Sequence, residues 1–326
     1  MNNLVLIVKD GNTSYDVSDL IIKVTWSGRK GAAPRTVEAV LHDSEQLEKR
    51  APINCGKGQK LFLYEKDSTG AKKELFRGQI MSDSRSEKRQ LKIKAYDACI
   101  KLVNNKASHS YKKKRADQIF RSCCKRLGLK VGTVAKTGHK IGEIVKKGTT
   151  FWDVIEDALS QTYKTKKKRY YVYADKGELY LVHRKMKSTM PVIELGSNVS
   201  SYERTRSIED TRTRLKLITS KGKSKGTTKA KSLEKKIGVW REVEQVDEKL
   251  TKTQKKQRIN AFKMEKAKVG QSMKITALGV TSVKAGGCVY VHIPTEGIKK
   301  AMFVEEDTHT WEKGQHTMTL KLDFYV

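Results

Sequence analysis

Seven histidines and five cysteines are the residues best suited to metal or nucleophilic chemistry in this chain. Their spacing offers little. Cys55, Cys99, Cys123, Cys124 and Cys288 contain no C-x-x-C pair and no zinc-type spacing. An odd number with one adjacent pair gives no disulfide framework, so they read as reduced thiols packed as small apolar groups. Cys123 and Cys124 fall on an apolar helix face, where packing outweighs redox chemistry. His309 and His316 flank Trp311-Glu312-Lys313-Gly314, a spacing that makes them neighbours across a hairpin. A metal needs more ligands than two, so they read as strand residues beside a turn. Gly222-Lys223-Ser224 resembles the end of a phosphate-binding loop, but Leu217 stands where the leading glycine belongs. There is no G-x-S-x-G or H-E-x-x-H, and no pair of acids has a spacing that is catalytic by itself. The expectation is a protein that is not an enzyme, with no catalytic, cofactor-binding or metal-binding residues and no cofactor.

Composition sets wider bounds. A chain of 326 residues has room for two or three domains, and 37% hydrophobic residues allow packed cores beside 32% charged ones. Lys+Arg 68 against Asp+Glu 36 gives a net charge of +32. A field of that size favours polyanions such as nucleic acid, anionic lipid or teichoic-acid-like polymers. Its plainer meaning is a lysine-rich surface that offsets acidic neighbours in a complex. The opening MNNLVLIVKDG is too short in apolar residues for a secretion signal. No stretch approaches the ~20 apolar residues of a membrane helix. The expected setting is the cytoplasm, with no membrane segment.

The elements that must carry these residues fall into three blocks. Residues 1–104 show short alternating strands and tight turns, at 4–10, 20–26, 36–41, 60–64, 74–81 and 90–95. Many short strands with turn signals fit a sandwich or barrel. Residues 97–103 close this unit, helical or extended. Residues 105–192 hold most of the helical signal. Ala116, Ile119, Phe120, Cys123, Cys124 and Leu127 mark one helix face, stopped at Gly128. Phe151, Val154, Ile155, Ala158, Leu159 and Thr162 mark a second, capped by Thr150 with Asp153 three residues on. Asp175-Lys176-Gly177 reads as a hairpin turn between two Tyr-rich strands. Residues 193–326 return to strands. Two interruptions occur there: a lysine-rich stretch at 221–236, expected as a mobile loop, and a polar helix at 251–268 lying on the outside of a sheet. The expected fold class is mainly β with an α+β insert.

Residues 145–159 resemble the opening of a LysM module, in which a strand and a Gly-containing turn lead into a capped helix. LysM modules bind N-acetylglucosamine polymers. The chain departs from that pattern after the helix, where it runs into the basic stretch and the Tyr-rich hairpin. An alternative function is therefore a peptidoglycan- or polyanion-binding module centred on this stretch. A DNA-binding protein or nuclease is a third reading, without a catalytic constellation to support it.

A broader resemblance spans nearly the whole chain. Its carriers are Val24-Thr25-Trp26-Ser27-Gly28, Phe76-Arg77-Gly78-Gln79-Ile80 and Ala95-Tyr96-Asp97. In the middle come Ala116-Asp117-Gln118-Ile119 with Leu127-Gly128, and Val134-Ala135-Lys136-Thr137-Gly138. Later come Ser207-Ile208-Glu209-Asp210 with Thr213-Arg214, and Ala277-Leu278-Gly279. The last is Asp307 to Gly314 (DTHTWEKG) with His316-Thr317-Met318. In order and spacing these resemble the baseplate hub proteins of contractile phage tails, the late-control-D-like family that includes hubs of defective prophages and phage-tail-like bacteriocins. The basic segment 112–115 and the cationic stretch 221–236 depart from that pattern. The resemblance implies two tail-tube-like β-barrel or sandwich domains flanking a small, partly LysM-like domain. It implies a virion structural protein of a contractile injection system: a homotrimer adapting a sixfold tail tube to a threefold spike. The implied partners are further copies of itself, the tail spike, the tail tube or a tube-initiator protein, the tape measure protein and other baseplate proteins. Transient contact with DNA or the cell wall would use the positive charge. The implied location is the tail baseplate of a virion or phage-tail-like particle, assembled in the bacterial cytoplasm.

Overall fold

Alternating burial builds the first strands. Leu4, Leu6 and Val8 turn inward on one strand, Leu61 and Leu63 on another, and Leu91, Ile93 and Ala95 on a third. The computed structural model describes residues 3–43 and 55–324. The first unit contains β1 (Leu4–Asp10), β2 (Thr13–Asp16), β3 (Ile21–Arg29), β4 (Ala32–His42), β5 (Lys60–Lys66), β6 (Lys72–Ser86) and β7 (Gln90–Tyr96). The short helix α1 (Ile100–Asn104) leads into the insert. There follow β8 (Lys106–Arg115), α2 (Ala116–Arg126), β9 (Val131–Val134), β10 (Lys140–Thr150), α3 (Phe151–Lys166), β11 (Tyr170–Asp175) and β12 (Glu178–His183). The last unit begins with β13 (Val192–Glu194), β14 (Val199–Ser207), β15 (Arg214–Ile218), β16 (Ser224–Lys229), α4 (Lys231–Ile237), β17 (Arg241–Gln245) and α5 (Lys252–Glu265). It ends with β18 (Gly270–Leu278), β19 (Cys288–Ile293), β20 (Ile298–Glu312) and β21 (Gln315–Asp323).

The two β units are not separate sheets. Among the described residues, one 13-stranded sheet runs β14-β18-β21-β20-β3-β4-β7-β6-β5-β1-β2, with β19 on β20 and β13 on β19. The join is β20, a strand of 15 residues. Phe303 pairs with Cys288 of β19 on one edge and with Asp323 of β21 on the other. Further along, Asp307, His309 and Trp311 pair with Gly28, Trp26 and Val24 of β3. So β19 and β3 follow each other along the same edge, and β20 belongs to both units. Trp311 buries its ring in the first unit's core, with Trp26, Val24 and Val37.

Burial divides the rest. The insert packs α2 and α3 against β12 through Phe120, Cys123, Phe151, Ile155, Leu179 and Leu181. Both apolar stripes expected from the sequence face this core. Thr150 accepts from the Asp153 N–H at 3.0 Å and Asp153 accepts from the Thr150 N–H at 3.1 Å, closing the capping box. Gly128 follows α2 at φ 63, and Lys176 (φ 47) and Gly177 (φ 82) make the two-residue turn between β11 and β12. Cys99 and Leu102, around the start of α1, pack into the insert core rather than the first unit. The last unit is centred on Met273, Ile275, Val289, Val291, Met302 and Leu320.

A fourth, smaller core corrects one expectation. The stretch 221–236 is not a loop. It holds β16, paired to β15, and α4. Its order comes from the neighbouring strand, whose Leu215 and Leu217 are buried. Arg214 adds two bonds to Glu234, at 2.7 and 2.6 Å, and fixes α4. A lysine-rich composition hides such partner-imposed structure. The polar helix is present as α5, and Phe262 is its anchor on Leu215, Leu217 and Val246. Met264, two residues on, is 52% exposed.

Candidate functional site

The seam between β3 and β20 gathers the polar groups with the strongest mutual constraints. Arg35 on β4 reaches across β3 to Asp307 on β20 with both terminal nitrogens, one of them at 2.8 Å. The Asp307 carboxylate is sealed from solvent and also accepts from the Ala285 N–H at 2.6 Å. The Arg35 guanidinium lies 4.2 Å from the Trp26 ring. This packing depends on Gly28. A Cβ there would stand 2.3 Å from Arg35 Nη1. On the other side, the Arg35 backbone N–H donates to Asp97 Oδ2 at 3.0 Å, and the Cys99 N–H donates to Asp97 Oδ1 at 2.9 Å. Burial pushes the Asp97 carboxyl up to about 7.

Beside this pair sit the two histidines singled out by their spacing. His309 is fully buried and its Nε2 donates to the Val283 carbonyl at 2.8 Å. A carbonyl only accepts, so His309 Nδ1 is left to accept from His316 Nε2 at 3.1 Å. Burial lowers the pKa of His309. Burial and the neighbouring His309 take His316 down to about 4. Trp311 stacks on His316 at 4.1 Å. Gly279 makes room for that ring, since a Cβ would fall 2.2 Å from it. Among the described residues, no group of three or more His, Cys, Asp or Glu comes within reach of one metal ion. The cluster aligns and locks two strands.

A second ion cluster ties the insert to the same strand. Arg184, just past β12, meets Glu305 at 2.5 Å and lies 4.0 Å from the Phe303 ring. Lys30, in the turn between β3 and β4, reaches the same carboxylate at 3.3 Å. Where all three units meet lies a cavity of about 370 Å³, lined by Arg35 and Asp97, by Tyr171, Tyr173 and Asp175, and by the 281–287 loop with Lys284. Burial, then the nearby Arg35 charge, lowers Lys284 to about 8.

Several segments that looked isolated in the sequence meet here. Residues 24–28 and 307–312 are paired strands. Asp97 sits beside them through Arg35. In the insert, Asp117 accepts from both the N–H (3.1 Å) and the hydroxyl (2.8 Å) of Thr137, joining two more of the quoted motifs. The LysM-like stretch forms β10 and the start of α3, but Phe151 and Trp152 are buried in the insert core. All five cysteines are buried and free. Arg35 and Lys284 were not singled out by the sequence, since neither lies in a motif; the glycine opposite Arg35 was the one available signal.

The chain is 33% identical over 301 residues to the phage-like element PBSX protein XkdQ of Bacillus subtilis, covering 91% of this chain and 90% of that one. In fold it is similar to a tail protein from Neisseria meningitidis, at TM-score 0.75 and 13% identity, covering 98% and 96% of the two chains. It is also similar to the E. coli c3393 protein, a type VI secretion component with structural similarity to the T4 tail proteins gp27 and gp5. That match has TM-score 0.62 and 9% identity, and covers 98% of this chain and 77% of the other. The model of the YQBQ-like family matches residues 24–323, from Val24 on β3 to the last residue of β21, and the chain belongs to that family.

Proposed function

We propose that this chain is a structural protein of a phage tail or phage-tail-like particle, and that it serves as the baseplate hub. The carrying observation is the shared sheet, whose main path ends on two unlike strands while β13 ends a side branch. Among the described residues, β2 and β14 each have one hydrogen-bonded neighbour in that path. An unpaired strand edge is a template for another strand. When two different edges meet head to tail and the rotation closes, the result is a ring. Three copies would present six β units, matching a sixfold tube while keeping threefold symmetry for a spike. The relatives support a tail setting: XkdQ is a protein of a phage-like element, and the Neisseria protein is a tail protein. The partners in this reading are further copies of the chain, the tube or its initiator, the tape measure protein, the spike and other baseplate proteins.

Mass measurement of the purified full chain, together with electron microscopy of particles from the source strain, tests this. The expected result is a trimer, and three copies at the tube–spike junction. A protein that stays monomeric at micromolar concentration and is missing from particles would overturn the proposal.

A further inference from the structure

The cavity at the three-unit junction has too few counter-charges. Its walls carry Arg35, Lys73, Arg77, Lys176, Lys187 and Lys284 against Asp97 and Asp175. Arg35 is taken by Asp307, and Arg77 by Glu74 at 2.7 Å. Among the described residues, the other four amines form no salt bridge. Asp97 spends its oxygens on two backbone N–H groups. That leaves Asp175 as the lining carboxylate free to face four lysines. Lys284 is the sharpest case. Its amine lies half-buried, 5.0 Å from the Trp26 ring. A ring face offers a cation much less than a carboxylate does. Tyr171 and Tyr173, their ring centroids 5.6 Å apart, also line the cavity.

We propose that this cavity is an oxyanion site for a compact phosphate-class group, either free or as the terminal monoester of a larger molecule. Four amines around one cavity call for more than one negative charge. A carboxylate brings one, whereas a phosphate monoester carries about −1.5 to −2 near neutrality and offers three acceptor oxygens. The volume of about 370 Å³ admits such a group together with part of what bears it. An anion here would also raise the lowered pKa of Lys284 back toward its ordinary value. All of the residues lining the cavity come from one chain.

Isothermal titration of the full chain with sodium phosphate and sodium pyrophosphate, at matched ionic strength, tests the proposal. The expected result is saturable binding at one site per chain, weakened about tenfold or more in Lys284→Met. Lys187→Met removes an exposed amine that the fold does not need, and should weaken binding severalfold. Lys147→Met, on exposed β10 outside the cavity, should leave it unchanged. Non-saturating heats, or equal loss in all three variants, would overturn the site. A comparison of 5′-phosphorylated and unphosphorylated dinucleotides identifies the source. Stronger binding of the phosphorylated form than of pyrophosphate indicates a carried monoester, and the reverse indicates a free anion. No saturable binding of phosphate, pyrophosphate or the phosphorylated dinucleotide counts against the proposal.

Discussion

Arg35 and Asp307 stand 272 positions apart in the chain and share a nearly sealed ion pair. Taking one partner away leaves a buried charge without compensation, at a cost of about 3–5 kcal/mol. Arg35→Met should therefore destabilise by that order. Gly28→Ala acts on the same pair by pushing the guanidinium aside, and should cost about 1–3 kcal/mol. Once the arginine is gone, the alanine has little left to displace. Chemical denaturation of the two single variants and the double should show strong non-additivity; simple additivity would mean that Gly28 matters for another reason. The acid response of the seam has two opposing parts. Asp97 has a folded pKa of about 7, above its ordinary 3.8, so the folded state binds the extra proton. Its contribution is fullest below pH 4 and fades as pH rises to 7. His316 is depressed to about 4 from 6.5, so its contribution is present above pH 6.5 and is lost as pH falls through that range. Relative to Asp97→Asn, the wild type should lose ground between pH 4 and 7, by up to about 2–4 kcal/mol. Relative to His316→Gln, it should lose ground on acidification from pH 6.5. Melting temperatures of the three proteins across pH 4–8 decide this, and gaps that stay constant with pH would refute it.

The elements show what sequence pattern conveys and what it leaves silent. Strands with one buried face announce themselves by alternation, as in β7, where Leu91, Ile93 and Ala95 turn inward. Helices α2 and α3 were legible because their stripes and caps agree. The strands β8, β14, β16 and β17 were not, because each is largely polar and takes its register from a better-buried neighbour. The pairing of residues 24–28 with 307–312 was equally hidden, since nothing local marks a contact across most of the chain. At the edge of the sheet, β2 offers a direct test of assembly. The Val17 N–H donates to Leu6 at 2.9 Å, so, counting along the ladder, Ser14 pairs with Lys9 without bonds and turns its N–H outward. Ser14→Pro removes that outward donor and leaves the ladder to β1 intact. The expected result is an unchanged melting temperature and self-association weakened about tenfold or more, read by sedimentation. Undiminished association would exclude the β2 edge as a contact.

For the whole molecule, charge and shape pull in different directions. Copies carrying +32 repel one another at long range, and salt screens this within about 8 Å at physiological strength. Any ring would therefore have to be held by short-range contacts such as strand edges. The basic residues of 112–115 and 224–236 lie on exposed secondary structure rather than on loose chain, so their charges are displayed at fixed positions. The strand shared by the two β units has a mechanical meaning as well. A load applied to one unit passes along β20 by covalent bonds from Ile298 to Glu312, and enters the other through the ladder with β3. Loaded lengthwise, such a ladder shares the force among its bonds and gives way all together rather than one bond at a time. The two halves are thus mechanically coupled, so a push received at one face has a continuous path through β20 to the other.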